Sequence, residues 1–539
     1  MKTIFASLVL FLVLNTMAYS QVSQAWLQRY NGPGNSSDGA QSLALDTAGN
    51  IYVTGSSSAA PNNTDYVTIK YNPAGIVQWI QRYDFGSSDI AQAVVVDKPG
   101  NVYVTGYSSS GANIDFATVK YNSSGVQQWV HRYNGTGNGA DYPTAMTIDT
   151  AGEIYMTGYS IGTGGNFDYV TIKFTSSSST PLWIKKYIGA ANSTDQPYGI
   201  TVDNSGNVYV TGGSAGAFTG TDYLTVKYNS LGLQQWEQRY NGPGNDYDES
   251  FSVKVDNSGN VYVVGNSVGS GTGRDCVTIK YNSSGLMQWI QRYNGFANQG
   301  DYGSELVLDN ANNVYVCGST TWAGPGTDYL TLKYSSAGVQ EWSQRYNGPQ
   351  NSDDFPTSLA VDNYGSVYIT GSSFGASNDI ETIKYNSSGV QQWEQRYNGA
   401  ANFIDLATSI AVDKSGNVYI TGYSDFVTNN SDLITIKYTQ PVGINTISSL
   451  VPSEFSLGQN YPNPFNPTTN IQFDMLKGDF VTVKIYDMLG KEIENLIDEF
   501  KPAGSYMISY DAGKLKSGVY FYRMETKDFT ETKKMILVK

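Results

Sequence analysis

The chain has 539 residues, of which 57 are Gly and 42 are Tyr, and only 15% are charged. This turn-rich and aromatic-rich composition argues against disorder, which requires low hydrophobicity together with high net charge. The formal net charge is −14, and because an acidic body repels phosphate backbones, we expect no nucleic-acid partner.

Residues 1–20 have the pattern of a secretory signal peptide. Lys2 supplies the positive charge, residues 4–14 are apolar, and residues 18–20 form a small-x-small cleavage site. An uncleaved anchor helix is the alternative, but the apolar run is short for a bilayer. No later segment is apolar enough to form a transmembrane helix. We therefore predict a mature chain that starts at Gln21 and has no transmembrane segment.

One motif of about 53 residues recurs eight times over residues 21–440. Each copy reads as four short strands rich in β-branched and aromatic residues; in the first copy, strands A, B and C are residues 42–46, 51–54 and 66–71, and the strand D that follows them is residues 77–83. Strand D carries W-x-x-[RK]-Y, and its eight tryptophans are Trp26, Trp79, Trp129, Trp183, Trp236, Trp289, Trp342 and Trp393.

The turns of the repeat support this reading. The A–B turn is D-x-x-G-N and the C–D turn is N-x-x-G, so that Gly stands where a tight hairpin needs a positive φ. One copy has Asn312 instead of Gly, and Asn is the next residue to tolerate that conformation. Residues 175–181 break the C–D pattern of the third copy and predict an irregular edge there.

The order of the strands predicts how the array closes. A strand D at residues 24–30 precedes the first strand A, and the last copy ends at strand C, residues 433–438. The N-terminal strand can therefore complete the last blade and remove the free edges of the array. An open solenoid would need atypical caps, which the sequence lacks. We predict an all-β, eight-bladed β-propeller over residues 21–440.

The repeats resemble the SBBP β-propeller repeats of bacterial surface proteins. The resemblance rests on G-N-V-Y-V-T-G and D-Y-V-T-I-K-Y-N-x-x-G and covers about residues 22–440. The family resemblance implies seven blades, whereas the count of copies in this chain is eight.

The repeat stops after residue 440, and we predict a linker over residues 441–453. A proline-rich box follows at Tyr461, Pro462, Asn463, Pro464, Phe465, Asn466 and Pro467. Strand-like runs at residues 470–473, 481–486, 506–510, 518–524 and 534–538 predict a small Ig-like β-sandwich.

Residues 454–539 resemble the type A C-terminal sorting domain of the type IX secretion system. The resemblance rests on the proline-rich box, I-Y-D at residues 485–487, G-V-Y-F-Y at 518–522 and K-K-M-I-L-V-K at 533–539. It implies a Bacteroidetes-type host, the type IX secretion machinery as a partner, and a product that is secreted or attached to the outer-membrane surface. An ordinary accessory sandwich domain is the alternative.

The sequence offers little for catalysis. His131 is the one histidine, so the chain lacks a second His for a His-cluster metal site or for a triad elsewhere. N-x-x-G-x-x-x-W also resembles the repeat of quinoprotein dehydrogenases, but no copy has an insertion that would build a cofactor pocket. We predict no catalytic residues, no metal site and no cofactor; Ca²⁺ is an open alternative without a supporting motif. Cys276 and Cys317 lie off the pattern, and a disulfide between them stays open.

We assign the repeated residues to structure. The tryptophans should pack between blades, and the repeated Asp residues should accept local hydrogen bonds that tie loops to strands. The repeated Lys of strand C, such as Lys70 and Lys227, is a candidate partner for these Asp residues between blades.

The longer, variable loops predict the binding surface. In an up-down blade, the A–B and C–D hairpins share one face, and the variable B–C and D–A loops share the other. Its off-pattern residues are the predicted ligand contacts: Trp322, Tyr247, Phe296, Phe218, Phe403, Phe426, Asp246 and Arg274. An exposed Trp322 would suit sugar rings or a partner protein, and the alternative is a Trp folded onto its own blade.

From these features we predict a monomeric, non-enzymatic binding or adhesion module for an extracellular glycan or protein. A purely structural surface protein is the first alternative, and a quinoprotein-like enzyme is the second.

Overall fold

The computed structural model describes residues 22–60, 63–110, 113–189, 191, 193–296, 298–322, 326–427, 430–440, 444–448, 451–513 and 515–539. All regular secondary structure in these residues is β-strand, and the strands number 40. The signal peptide predicted at residues 1–20 lies outside the described residues. Within these ranges, no helix has the length and apolar character needed to cross a bilayer.

The strands of the repeat region follow the predicted A, B, C, D order, and we number four-stranded groups as units. Strand β1 is Ser23–Tyr30. Units 1 and 2 comprise β2 (Asp38–Leu45), β3 (Ile51–Ala60), β4 (Asn63–Tyr71), β5 (Val77–Tyr83), β6 (Ser88–Val96), β7 (Val102–Ser110), β8 (Asn113–Tyr121) and β9 (Gln127–Tyr133). Units 3 and 4 comprise β10 (Asp141–Ile148), β11 (Ile154–Ile161), β12 (Phe167–Phe174), β13 (Trp183–Tyr187), β14 (Asp195–Val202), β15 (Val208–Ala215), β16 (Thr221–Tyr228) and β17 (Gln234–Tyr240).

The remaining units continue the same order. Units 5 and 6 comprise β18 (Asp248–Val255), β19 (Val261–Val268), β20 (Arg274–Tyr281), β21 (Met287–Tyr293), β22 (Asp301–Leu308), β23 (Val314–Thr321), β24 (Thr327–Tyr334) and β25 (Gln340–Tyr346). Unit 7 comprises β26 (Asp354–Val361), β27 (Val367–Phe374), β28 (Asn378–Tyr385) and β29 (Gln391–Tyr397). Unit 8 comprises β30 (Asp405–Val412), β31 (Val418–Val427), β32 (Asn430–Thr439) and the N-terminal β1.

The sheets are antiparallel meanders, as expected for a β-propeller. Units 3 to 8 each form a separate four-stranded sheet. Units 1 and 2 share one eight-stranded sheet because a single parallel pair, Thr64 with Ser88, joins them. Strand β1 pairs antiparallel with β32, which is the pairing that the strand order predicts. Strand β13, beside the broken turn of the third copy, has only 5 residues.

The tight turns depend on Asp and on a residue with positive φ. In the first A–B turn, Asp46 Oδ1 accepts the N–H groups of Ala48 and Asn50, each at 2.9 Å, and Gly49 has a φ of 80°. Asn312 takes the place of this Gly with a φ of 61°. The predicted roles of the repeated Asp and of Asn312 are confirmed, because only a left-handed residue closes this hairpin.

The repeated Trp packs between units, as predicted. Trp79 lies between Tyr52 of its own unit and Tyr121 of unit 2, with ring centroids 6.2 and 6.0 Å away. Its Nε1 donates a hydrogen bond to the Ser123 carbonyl in the C–D turn of unit 2, at 3.2 Å. Trp129 is the exception, because its Nε1 is buried without a partner beside the irregular turn of unit 3.

The strand-C Lys also reaches the next unit, but its acceptor is a carbonyl. Lys70 Nζ donates to the same Ser123 oxygen at 3.2 Å and lies 5.1 Å from the centre of the Tyr52 ring. Lys227 repeats this arrangement with the Ser283 carbonyl at 3.0 Å. The predicted Lys–Asp pairing is therefore wrong for both residues, since the Asp oxygens are already engaged in the turns.

A glutamine takes the place of the missing C–D turn in unit 8, where β1 pairs with β32. Unit 8 has no C–D turn, because its strand D comes from the N-terminus. Gln440 Oε1 instead accepts hydrogen bonds from Lys384 Nζ at 2.6 Å and from Trp393 Nε1 at 3.2 Å. Its Nε2 donates to the Gly416 carbonyl at 2.5 Å. One amide side chain thus connects unit 7 to unit 8.

We expect Gln440→Ala to destabilise the propeller by about 1–3 kcal/mol, because it leaves the buried Lys384 ammonium without its acceptor. The measurement is the urea midpoint of the mature chain. Gln392→Ala is the matched control, since the Gln392 side chain bonds only a carbonyl on an exposed strand. Equal midpoints for the two variants would contradict this role of Gln440.

A buried glutamate interrupts the apolar pattern in unit 7. Glu381 is 1% exposed, at a strand-C position that is occupied in other units by Val67, Ala117, Val170, Leu224, Val277, Leu330 and Ile434. Its Oε2 lies 3.1 Å from Arg396 Nε. Burial raises the pKa of Glu381 to about 7, against an opposing effect of Arg396.

Glu381→Val should stabilise the chain by about 1–3 kcal/mol at pH 7, because an apolar residue replaces a buried ionisable one. The folded-state pKa of Glu381 lies above its ordinary value of 4.5. The carboxyl group is therefore least unfavourable to the free energy of unfolding below pH 4.5, where it is neutral in both states. As the pH rises to about 7, the unfolded chain loses its proton before the folded one does, so the free energy of unfolding falls. Urea unfolding of both proteins at several pH values should show a difference that grows over this window. Glu237→Val is the control, because Glu237 is an exposed strand-D residue of unit 4, and its difference from wild type should not grow in this way. A pH-independent difference would refute the explanation.

The C-terminal domain consists of two four-stranded sheets that share one core. Its strands are β33 (Ile444–Ser448), β34 (Ser456–Leu457), β35 (Thr468–Met475), β36 (Asp479–Tyr486), β37 (Glu492–Lys501), β38 (Gly504–Asp511), β39 (Gly518–Glu525) and β40 (Thr530–Leu537). The sheet orders are β33-β38-β35-β34 and β37-β36-β39-β40. Ile471 and Phe473 of the first sheet pack with Val483 and Met524 of the second. Residues 444–448 fall in the predicted linker, but they pair with β38 as a strand.

The two cysteines are buried and free. Cys276 lies on β20 and Cys317 on β23, in neighbouring units. The disulfide left open by the sequence is therefore not formed in this structure.

Candidate functional site

The variable loops lie at one end of the units, which we call the loop face: the B–C loops and the loops from strand D to the next strand A. A repeated arginine of strand D is fixed just below this face. In unit 1, Arg82 Nη1 donates to Ser57 Oγ at 2.5 Å, and Nη2 donates to Asp65 Oδ2 at 2.6 Å. Similar bonds join Arg132, Arg239, Arg292 and Arg396 to Ser and Asp of their own units.

Loop aromatics stack on these fixed guanidinium groups. The ring of Phe85 lies 3.7 Å from the Arg132 guanidinium carbon. The centre of the Phe426 ring lies 3.9 Å from the guanidinium carbon of Arg29, which is the strand-D arginine of unit 8. A guanidinium group attracts the face of an aromatic ring. Arg132 and Arg29 therefore hold Phe85 and Phe426 at the surface.

A stacked pair of exposed aromatic residues lies on the loop face at unit 6. Phe296 and Trp322 are stacked, with ring centroids 5.2 Å apart and an interplanar angle of 28°. The Arg345 guanidinium carbon lies 5.0 Å from the Trp322 ring and also pairs with Asp328. Phe296 is 72% exposed and Trp322 is 38% exposed. We call Phe296 and Trp322 the aromatic pair; it presents two apolar ring surfaces to solvent.

A second group of predicted residues meets in unit 5. The Tyr247 hydroxyl donates to Glu249 Oε2 at 2.5 Å, and the Arg274 guanidinium carbon lies 4.7 Å from the Tyr247 ring. Burial raises the pKa of Tyr247. Asp246 precedes Tyr247 in the loop and is exposed. Tyr247 is therefore held by two charged neighbours, and Arg274 is exposed beside it.

The other predicted residues are dispersed. Phe218, in the B–C loop of unit 4, is 94% exposed. Phe403, in the loop before β30, and Phe426, near the end of β31, are both exposed. The structure therefore brings together the aromatic pair and the Tyr247–Arg274 pair, but not all eight residues in one site. Arg29 and Arg345 support two of these aromatics; sequence reasoning missed that role because both arginines belong to the regular repeat.

His131 lies on β9, where its ring meets Phe174 edge-on at a centroid distance of 4.9 Å. Burial lowers the pKa of His131, and its Nε2 is buried without a partner. This environment fits a packing residue better than a proton-transfer group.

The proline-rich box of the C-terminal domain holds the last strand. Phe465 N–H donates to the Ile536 carbonyl at 2.9 Å, and Val538 N–H donates to the Phe465 carbonyl at 2.9 Å. Asn463 Oδ1 accepts the Ile536 N–H at 2.9 Å. Phe465 is buried in the shared core, whereas Tyr461 is 80% exposed. The box thus joins the core of the domain to β40 and leaves one aromatic ring at the surface.

Phe465→Ala should cost about 3–5 kcal/mol of domain stability, because it empties a buried site. Hydrogen exchange of the β40 amides in the full mature chain should accelerate accordingly. Tyr461→Ala, a matched aromatic deletion in the same box, should leave this exchange unchanged. Equal acceleration in both variants would show that the box does not anchor β40 through Phe465.

The sheets and loops described above define a β-propeller with an additional C-terminal β-domain. Two family comparisons extend this description. A beta-propeller repeat family, SBBP, matches residues 25–61, 78–115, 183–218, 341–377 and 396–427. A secretion system C-terminal sorting domain matches residues 459–539.

The chain therefore carries SBBP-type β-propeller repeats and a type IX sorting domain. The sorting domain indicates a protein that is secreted or attached to the cell surface through the type IX system.

Solved structures resemble the chain only distantly. A polysaccharide lyase of family PL25, an ulvan lyase bound to a glycan, is 10% identical with a TM-score of 0.40, covering 75% of this chain and 95% of the lyase. Drosophila Plexin A, in complex with Semaphorin 1b, is 10% identical with a TM-score of 0.37, covering 78% and 88%. A putative gluconolactonase is 13% identical with a TM-score of 0.28, covering 54% and 88%. These likenesses carry no argument about the ligand. No curated protein matches the chain.

Proposed function

We propose that the chain is an extracellular, non-enzymatic binding module: an eight-bladed propeller that holds a glycan at the aromatic pair of its loop face and is exported by its C-terminal domain. The observation that carries this proposal is the stacked, solvent-exposed pair Phe296 and Trp322.

Two contacts support a closed ring of eight blades. Trp26 of β1 lies 6.2 Å both from Tyr71 of unit 1 and from Tyr419 of unit 8, measured between ring centroids. Ala40 of unit 1 shares a buried cluster with Tyr419 and Leu433 of unit 8. The last unit therefore packs on the first as consecutive units pack on each other. For the C-terminal domain, two sheets around one core support the Ig-like sandwich, and we place its start at β33.

The aromatic pair is not required by the repeat. Trp322 is the only Trp outside the strand-D register, and it does not pack between units as the other eight do. Large aromatic groups that remain exposed on a rigid support are typical of binding surfaces, where they bury apolar area at little entropic cost. Arg345 beneath the pair adds a donor and a positive charge at the same place. These features favour a sugar ring, which presents an apolar face and polar edges.

The chemistry of the loop face favours binding without catalysis. Its exposed aromatic rings lie beside strand-D arginines that are already paired, as Arg345 is with Asp328. Such a set supplies stacking and hydrogen bonds, whereas general acid–base catalysis requires a positioned group with a free, suitably tuned pKa.

Trp322→Ala should weaken glycan binding by about 5- to 150-fold, because a buried stacking contact is worth about 1–3 kcal/mol. The measurement is a glycan-array screen with the mature chain, followed by titration of any hit. Leu231→Ala is the matched control: Leu231 is an exposed apolar residue in a C–D turn, on the opposite face. Both variants should keep the wild-type urea midpoint.

Three outcomes would count against the proposal. Equal binding by the Trp322→Ala and Leu231→Ala variants would remove the aromatic pair from the site. Binding to surface proteins alone would assign the face to a protein partner. Failure to bind glycans or surface extracts would favour a purely structural surface protein.

A further inference from the structure

Three carboxylates meet at the junction between units 1 and 2, away from the aromatic pair. Asp65 lies near the start of strand C of unit 1, Asp89 lies near the start of strand A of unit 2, and Asp84 lies in the loop between β5 and β6. One oxygen of each carboxylate lies within 4.8 Å of the others. Asp65 and Asp89 are buried, whereas Asp84 is exposed. The cluster is therefore closed on the protein side and open to solvent at Asp84.

Asp65 carries a buried oxygen of this cluster that has no hydrogen-bond donor among the described residues. Asp65 Oδ2 accepts hydrogen bonds from Arg82 Nε at 3.1 Å and Nη2 at 2.6 Å. Asp65 Oδ1 is buried and has no hydrogen-bond donor among the described residues, although the residue is only 3% exposed. Burying a charged oxygen without a partner costs roughly several kcal/mol of folding free energy. The unpaired Asp65 Oδ1 therefore indicates a positively charged ligand.

The charge of the cluster fits a divalent cation. Arg82 offsets one of the three carboxylates, which leaves an excess of two negative charges. Asp89 Oδ2 and Asp84 Oδ1 each accept one backbone N–H, from Phe85 and Gly86. Asp89 also has a hydrogen bond with the Ser108 side chain, and the carboxylates still have lone pairs for a metal ion.

The spacing fits calcium. Calcium binds carboxylate oxygens at about 2.3–2.6 Å, so two ligands on opposite sides of the ion are about 4.6–5.2 Å apart. All three oxygens lie within 4.8 Å of one another, which is close enough for a single Ca²⁺ ion to contact each of them. Calcium also accepts irregular geometry and bound waters, which an exposed Asp84 would allow.

Asp84 distinguishes this junction from the others. The residue after the strand-D Tyr is an Asn or Ile at the other junctions: Asn31, Asn134, Ile188, Asn241, Asn294, Asn347 and Asn398. An orphaned Oδ1 recurs at Asp115, Asp222 and Asp275, but the third carboxylate is absent there. We propose that Asp65, Asp84 and Asp89 bind one Ca²⁺ ion between units 1 and 2. This site is independent of the proposed glycan function.

The test is calorimetric titration of CaCl₂ into the mature full chain after EDTA treatment and dialysis. We expect about one site per chain whose affinity falls at least tenfold in Asp84→Asn, and a Ca²⁺-dependent rise in melting temperature that the variant loses. Asp84→Asn restores the residue of the other junctions, so the variant should fold. Asp246→Asn, an exposed loop residue with the same charge change, is the control and should bind as wild type.

Two results would overturn the proposal. One is no Ca²⁺ binding by the wild-type chain. The other is binding whose affinity and stoichiometry are the same in the Asp84→Asn and Asp246→Asn variants, which would place the ion elsewhere.

Discussion

The packing between units depends on one contact: in most units, the Lys of strand C and the Trp of strand D both donate to a turn carbonyl of the next unit. In units 1 and 4 the Lys70–Trp79 and Lys227–Trp236 pairs converge on the Ser123 and Ser283 carbonyls. The acceptor is a backbone oxygen, so its position is set by the turn and not by a side-chain rotamer. This explains why the C–D turn is so regular: a displaced turn would move the acceptor from two donors of its neighbour. Trp129, opposite the irregular turn of unit 3, has lost its partner in this way.

The same contact explains how an array of identical parts can close. A ring needs every unit to present a turn, but the last unit ends at strand C and has none. Gln440 supplies an amide oxygen in place of the carbonyl, and β1 supplies the missing strand. A side-chain amide is the nearest chemical substitute for a backbone carbonyl, since both accept along similar lone-pair directions. The proposed ring can therefore close without an eighth C–D turn.

Sequence reasoning reached most of the fold because the repeat encodes it locally. Gly and Asn at positive φ, Asp in the turns and alternating strands are signals within about ten residues of each other. It missed β37, Glu492–Lys501, because this strand is dominated by charged residues at a sheet edge, and edge strands are often charged to prevent pairing with other chains. It assigned residues 444–448 to a linker because five residues carry too little pattern. The Lys–Asp pairing failed because the choice between two acceptors depends on three-dimensional reach.

The candidate site shows where such reasoning ends. Off-pattern residues could be found by comparing copies, and this identified Trp322 and Phe296. The role of Arg345 beneath these two rings could not be found in this way, because Arg345 belongs to the regular repeat. Its proximity to Trp322 depends on how strand D lies beside the B–C loop. The same limit applied to Asp84. A single Asn-to-Asp change looks neutral in the sequence, and only the junction shows that it is the third carboxylate beside two buried ones. In a chain of nearly identical units, a residue that all copies share maintains the common fold. The proposed glycan and Ca²⁺ sites instead depend on residues that differ from the repeat. Each deviation has physical meaning only through the regular residues around it.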